Sequence, residues 1–238
     1  MGWIREAYQA SHRIYGYRRI GIWLEQERGL RLNGKAILRI MQKMSIRSIA
    51  RRRRPAEQLA SRDSCHKYPN LLQRDFQASR PNQKWVTDVT YIPTAQGWGY
   101  LAVIKDLFDG FIVGYGFSRQ NSVGLVTRML QEARQRERVG GGLILHSDQG
   151  HQYSSPGYRH LTQEYGILPS MSRRGNCWDN APMENFFGHL KAEAVRHWGN
   201  PSFRQASQWI DEYIHFYNYE RIQLKTRRTP YHLRCPSL

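Results

Sequence analysis

The 238-residue sequence is short of several things, and each shortage removes a class of protein. It holds 3 cysteines, Cys65, Cys177 and Cys235, an odd number without CxxC spacing. Neither a disulfide framework nor a cysteine-rich zinc site fits that pattern, and reduced cytosolic thiols are the expectation. No apolar run approaches the roughly 18 residues of a membrane helix, and no charged-then-apolar signal segment opens the chain. The expected setting is therefore the cytoplasm, without a membrane partner. No internal repeat is visible. Acidic residues are scarce as well: 19 Asp and Glu stand against 36 Lys and Arg, giving a net charge of +17. Such an excess points to a polyanion, nucleic acid above all.

The charge is unevenly placed. Residues 1–80 carry 18 Lys and Arg against 6 Asp and Glu, so the first third is the electrostatic landing surface. Residues 1–50 read as helices, with Ile20, Trp23 and Leu24, then Ile37, Ile40, Met41 and Met44, at helical spacing. Gly29 and Asn33-Gly34 break the segments, which suits either a helix-turn-helix or an ordinary helical hairpin. Lys35 and Arg39 fall on the outer face of the later helix and are candidate DNA contacts. Arg51, Arg52, Arg53 and Arg54 precede Pro55 and open a basic linker, residues 51–80, placed to touch phosphates.

From Trp85 the pattern changes. Residues 85–92, 100–108 and 111–117 read as strands, joined by a turn at Gly97–Gly99 and a hairpin at Asp109-Gly110. A helix fits 122–138, with Val123, Val126, Leu130 and Ala133 on one face. A strand follows at 143–146, apolar enough for burial on both faces. A helix near 156–165, a strand at 167–171 and a helix from about Pro182 complete a mixed sheet flanked by helices, of α/β class. The stretch 201–219 carries Phe203, Trp209, Ile210, Tyr213, Phe216 and Tyr217, an aromatic face that reads as core packing.

Three carboxylates stand out. Asp88 lies inside the first strand, where Asp is disfavoured, on the face of Val86 and Ile92. A carboxylate buried there must be paired, protonated or bound to a cation. Asp148 follows the fourth strand in "HSDQG", where a plain turn residue and a strand-end site are both open readings. Met183, Phe186, Phe187 and Leu190 form an i, i+3, i+4, i+7 stripe facing the core, and Glu184 sits at its edge. Lys191 lies two helical turns further on the same side. Glu184 also suits a first helical turn beside Pro182, where the dipole favours an acid, so position alone leaves its role open. His146 and His151 flank Asp148, but no cysteine or third histidine joins them at zinc-like spacing, and they read as framing the site.

The interval between Asp148 and Glu184 is 35 residues, with Asp88 upstream of both. That arrangement resembles the catalytic core of transposases and retroviral integrases. "NQKWVTDVTYIPT", "HSDQGHQY" and "SRRGNCWDNAPMENFFGHLK" closely resemble motifs of the insertion-sequence-three family of bacterial transposases, second reading frame product. "HRIYGYRRIGIWL" looks like that family's helical DNA-binding module, and "YNYERIQLKTRRTP" like its C-terminal end. Gln223 stands where the family usually has a histidine. These transposases generally carry sequence upstream of this module, so a partial protein is one expectation.

The resemblance implies an RNase H-like mixed five-stranded sheet flanked by helices, preceded by a small all-α helix-turn-helix-like module. Its domains would be a helical DNA-binding module (1–50), the linker, an integrase catalytic core (81–198) and a C-terminal helical extension (199–238). Asp88, Asp148 and Glu184 would be catalytic and would hold Mg²⁺ or Mn²⁺, two ions, for cleavage and strand transfer of DNA. Arg173, Arg174 and Lys191 would contact phosphates, while His146 and Asn180 would support the site, a helix cap being the other reading of Asn180. Partners would be double-stranded DNA, as element ends and target, and further copies of the chain. A zinc-binding N-terminal domain is unsupported, since Cys65 is the only cysteine before residue 177. Two alternatives remain open: an RNase H-type nuclease, and a truncated, non-catalytic DNA-binding fragment that regulates transposition.

Overall fold

A computed structural model describes residues 2–49 and 67–235, so Arg51, Arg52, Arg53 and Arg54 lie outside the described residues. Three helices open the chain: α1 (Gly2–Ala10), α2 (Tyr17–Arg28) and α3 (Gly34–Lys43). Gly29 ends α2 with φ +63, a left-handed cap that suits glycine, and the Asn33 side chain caps α3 by accepting from the Lys35 N–H. Five strands follow: β1 (Lys84–Thr94), β2 (Gly97–Asp106), β3 (Ile112–Ser118), β4 (Ile144–Ser147) and β5 (Leu168–Met171). They lie in the order β3-β2-β1-β4-β5, with β1, β2 and β3 antiparallel and β4 and β5 parallel to β1. The first turn falls on Ala95–Gln96, and Gly97 begins β2 with φ +102 instead of forming the middle of the turn.

Alternation along the strands divides the core in two. One face of the sheet carries Trp85, Ala102, Ile104, Val113 and Leu145. It packs on α4 (Val123–Glu137) through Leu125, Val126, Met129, Leu130 and Ala133, and on α5 (Pro156–Glu164) through Tyr158 and Leu161. Gly114 lets α4 come close, because a Cβ there would stand 2.8 Å from the Ala133 methyl. The other face carries Val86, Ile92, Leu101, Val103 and Ile112 under α6 (Ala181–Glu193) and α7 (Phe203–His215). The expected α6 stripe is buried to the last residue: Met183, Phe186, Phe187 and Leu190 are all in this cluster.

Tertiary contacts depart from the linear reading in three places. The linker character stops before Arg80: Leu72 is buried, and the Leu71 and Leu72 amides both donate to the Ser170 hydroxyl at the end of β5, at 2.9 and 3.3 Å. The helical module is bound to the far end of the chain, since the Tyr15 hydroxyl donates to the Glu220 carbonyl and accepts from the Ile222 amide. Arg19 donates to the Ile222 carbonyl and Gln26 to that of Arg227. Finally, α7 widens into a π-turn at Phe216–Glu220. That turn aims Asn218 at edge strand β3, where its amide accepts from the Ile112 N–H at 2.9 Å and donates to the Ile112 carbonyl at 3.1 Å. The start of the edge is thereby capped at Ile112. Asn218→Ala would leave two buried peptide groups unsatisfied, at about 1–3 kcal/mol each. Thermal unfolding should show a melting temperature lower by several degrees at least; an unchanged value would mean that water replaces the amide.

Candidate active site

The parallel pairing of β1 with β4 sets Lys84 beside Ile144, Trp85 beside Leu145 and Val86 beside His146. The ladder ends at that pair, two residues short of Asp88 in β1 and of Asp148 just past β4, and the charge of Asp148 bears on Asp88. Two residues on from Val86, Asp88 keeps the face that Val86 turns to α6. Just past β4, the Asp148 carboxylate accepts from the Gly150 amide at 2.9 Å, and a Cβ on Gly150 would press on that same oxygen.

The third carboxylate arrives on α6. Asn180 precedes the helix, and its side chain makes no cap bond; instead it donates to the Thr87 carbonyl at 3.1 Å. The start of α6 is thus pinned to β1 one residue from Asp88. Glu184, four residues on from Asn180, shares that side of the helix, and Lys191 follows two turns later. Electrostatics agree with this placement. Burial pushes the Asp88 carboxyl well up, the charges of Asp148 and Glu184 push it further, and the Val89 N–H and Lys191 pull it down. Asp148 is also raised by burial, offset by the Gly150 N–H and the charge of His151. Two further acids and one lysine therefore bear on Asp88, in the middle of β1. Among the described residues, no three His, Cys, Asp or Glu side chains are gathered tightly enough to chelate an ion as they stand. Like charges repel, and Glu184 is exposed at the helix surface.

His146 is buried with both ring nitrogens engaged, Nδ1 with Ser170 Oγ at 2.8 Å and Nε2 with Ser172 Oγ at 3.0 Å. Burial pushes its pKa down to about 4, so the ring is neutral. It supports the strand ends from behind. Lys35, Arg39 and Arg174 are exposed. The Arg173 guanidinium is engaged by Asp179, Nε to Oδ2 and Nη2 to Oδ1, both at 2.9 Å, while its side chain stays 60% exposed. Gln223 packs against the β2–β3 turn at Gly110.

Sequence reasoning missed the residues that hold the loop before α6. The buried Asp179 carboxylate also accepts from the Arg173 amide, Arg74 Nε and Asn70 Nδ2. Arg74 and Asn70 sit in a stretch that reads as linker, 105 and 109 residues from Asp179, so no spacing signal connects them. Asp179 itself stood in a quoted motif, and a lone Asp in a polar loop carries no mark of burial.

A five-stranded mixed sheet with this strand order and helices on both faces defines an integrase-type core, the RNase H-like architecture of enzymes that cut and join nucleic acid strands. An integrase core domain model matches residues 78–177, another integrase core domain model 184–238, and an HTH-like domain model 1–54. A transposase-like protein of Haemophilus influenzae is 42% identical over 210 residues, 88% of this chain and 96% of its own. The insertion element IS600 31 kDa protein of Shigella sonnei is 38% identical, over 92% of this chain and 80% of its own. The transposase InsF for insertion sequence IS3A of Escherichia coli K12 is 36% identical, over 79% of this chain and 65% of its own. Among solved structures, the simian T-cell lymphotropic virus intasome superposes with a TM-score of 0.56 at 16% identity, over 90% of this chain and 74% of that one. The HTLV-2 integrase catalytic core domain in complex with magnesium gives 0.53 at 16% identity, over 66% of this chain and 98% of that one.

The chain belongs to the IS3 family of insertion-sequence transposases. It is a DDE-type transposase, a polynucleotidyl transferase acting on DNA phosphodiesters. Among the described residues no helix is long and apolar enough to cross a membrane.

Proposed function

We propose that Asp88, Asp148 and Glu184 are the catalytic carboxylates of this transposase and hold two divalent cations, Mg²⁺ or Mn²⁺. The observation that supports the reading is that Asp88 lies in β1, which pairs with β4 just ahead of Asp148, and that Asp148, Glu184 and Lys191 all act on Asp88. The donor set fits hard cations: it is all oxygen, and its negative charge exceeds what Lys191 offsets. When bound, such ions would activate the attacking water or 3′-hydroxyl and stabilise the leaving oxygen. The chain's own residues position the DNA. Lys191 draws a phosphate toward Asp88, and Arg174 reaches the backbone from the loop before α6. Lys35 and Arg39 on α3, with Arg51, Arg52, Arg53 and Arg54, take the flanking duplex. Asn180 and His146 keep the strand ends and α6 in register. The reaction is hydrolytic nicking at an element end, then in-line attack of the freed 3′-hydroxyl on target DNA, without a covalent protein–DNA intermediate. It proceeds on paired ends held by more than one copy of the chain, in the bacterial cytoplasm.

Thermal unfolding with Mg²⁺ tests the cation site apart from activity. Ligand at a hundred times its Kd adds about 2.7 kcal/mol to stability, or about 5–11 °C in melting temperature for a chain of this size. That rise should appear in the parent protein and vanish in Asp88→Asn. An equal rise in both proteins would place the cations elsewhere. Labelled substrates separate the other readings: cleavage of an RNA–DNA hybrid with terminal-repeat duplexes left whole would indicate a nuclease, and binding without cleavage a regulatory fragment.

A further inference from the structure

Trp178 is the most exposed large hydrophobic side chain among the described residues, at 69%. A single exposed indole is ordinary on a mobile surface, but the two residues that follow this one are both anchored. Its neighbour Asp179 is fully buried and accepts five hydrogen bonds, three from Arg173, one from Arg74 and one from Asn70. Two residues on, Asn180 is tied to the Thr87 carbonyl beside Asp88. The turn Cys177–Asn180 runs straight into α6, so Glu184 lies six residue steps on from Trp178 along the chain. At 1.5–2 Å of rise per residue that is about 9–12 Å along the axis. DNA advances 3.4 Å per nucleotide along one strand, so the backbone rise from Trp178 to Glu184 matches about three base steps. The loop around it is cationic, with Arg173 and Arg174 beside it.

We infer that Trp178 is a stacking platform for a base unpaired within about three nucleotides of the scissile phosphate. A duplex end that opens as its strand enters the site displaces a base, and an indole on an anchored turn offers that base a face to replace its lost neighbour. Aromatic faces take any base, so the contact selects an unpaired nucleotide over a paired one, not a particular sequence. The inference rests on the assignment of Asp88, Asp148 and Glu184 as the cleavage site, and its test keeps the two apart.

The probe is a terminal-repeat duplex with 2-aminopurine at each of the three positions on either side of the cleavage point, bound by the full chain in Ca²⁺, so that no cleavage is needed. At one position the parent complex should be quenched, the quench should be lost in Trp178→Ala and largely kept in Trp178→Phe. Trp98→Ala, which removes another exposed indole at 61%, far away on the β1–β2 hairpin, should match the parent. In Mg²⁺, Trp178→Ala should lower kcat on paired ends by about 5- to 150-fold with little change in KM, and much less on ends whose last bases are mismatched. Identical fluorescence in the parent and Trp178→Ala at every position would overturn the stacking role, as would equal losses on paired and mismatched ends. Self-association abolished by Trp178→Ala, with no change in fluorescence, would overturn it in favour of an interface between copies. A cleavage-competent Glu184→Gln would sink the catalytic assignment while leaving the fluorescence result to stand.

Discussion

Glu184→Gln is expected to lower cleavage of an element end by at least about a thousandfold while DNA binding is retained. Cation-assisted charge stabilisation is worth several kcal/mol, and each 1.36 kcal/mol is tenfold in rate. Glutamine keeps the length and helix propensity of glutamate but loses the charge that a cation needs. The α6 packing should not change, because Glu184 is exposed while Met183, Phe186, Phe187 and Leu190 hold the helix. Asp88→Asn should be equally inactive and, measured without added metal, should melt higher than the parent. In the parent, burial and the charges of Asp148 and Glu184 oppose ionisation of Asp88. A neutral isostere removes both costs. Gel assays of cleavage and filter binding on the same preparations check the first claim, and calorimetry the second. Residual cleavage within tenfold of the parent would remove Glu184 from the catalytic set.

The second large effect is on stability and lies at the other end of α6. Glu193 is buried, and Arg221 Nε donates to it at 2.8 Å, the Tyr213 hydroxyl at 2.9 Å. His189 Nδ1 stands 3.2 Å from the same carboxylate. Burial alone would push the Glu193 carboxyl up, but hydrogen bonds from Arg221 and His189 outweigh it and hold the group well below the usual range. Arg221→Met would leave that carboxylate buried and uncompensated, at about 3–5 kcal/mol, or roughly 6–20 °C in melting temperature. Since Glu193 is more acidic folded than unfolded, its contribution is present above the unfolded pKa of about 4.3 and is lost as pH falls below it. The gap between parent and Arg221→Met should therefore narrow in acid. Glu193→Gln combined with Arg221→Met should cost less than the two single changes added together, because no lone charge remains. A gap that stays constant from neutral pH to pH 3 would show that the pair's charges contribute little. Arg221 also lies beside Tyr15 and Arg19 of the N-terminal helices. The same variant should therefore loosen the module from the core, and limited proteolysis would detect it.

Much of this protein was legible in its residues. The antiparallel strands, the hairpin at Asp109-Gly110 and the buried stripe of α6 follow from periodicities that act locally, and the structure carries them within a few residues. The three acids could be chosen because strand-interior Asp88 is out of place and the 35-residue interval to Glu184 matches a known family pattern. Local rules also left choices open that only packing closed. Asn180 fits a cap by its position, but the Thr87 carbonyl at 3.1 Å takes its amide. Arg173 reads as a phosphate contact in a basic loop, and packing adds that a carboxylate six residues later pairs with its guanidinium.

The sequence by itself determined which residues are strand, which are helix and which face of α6 is apolar, because those depend on neighbours a few positions away. Only the tertiary structure decided that β4 would pair in parallel with β1, so that the charge of Asp148 bears on Asp88. It alone brought Arg74 to Asp179 across 105 residues and Tyr15 to Ile222 across 207. Those contacts join segments with no shared periodicity. They form because a buried carboxylate or an open peptide group must find a partner, and the fold determines which partner is within reach.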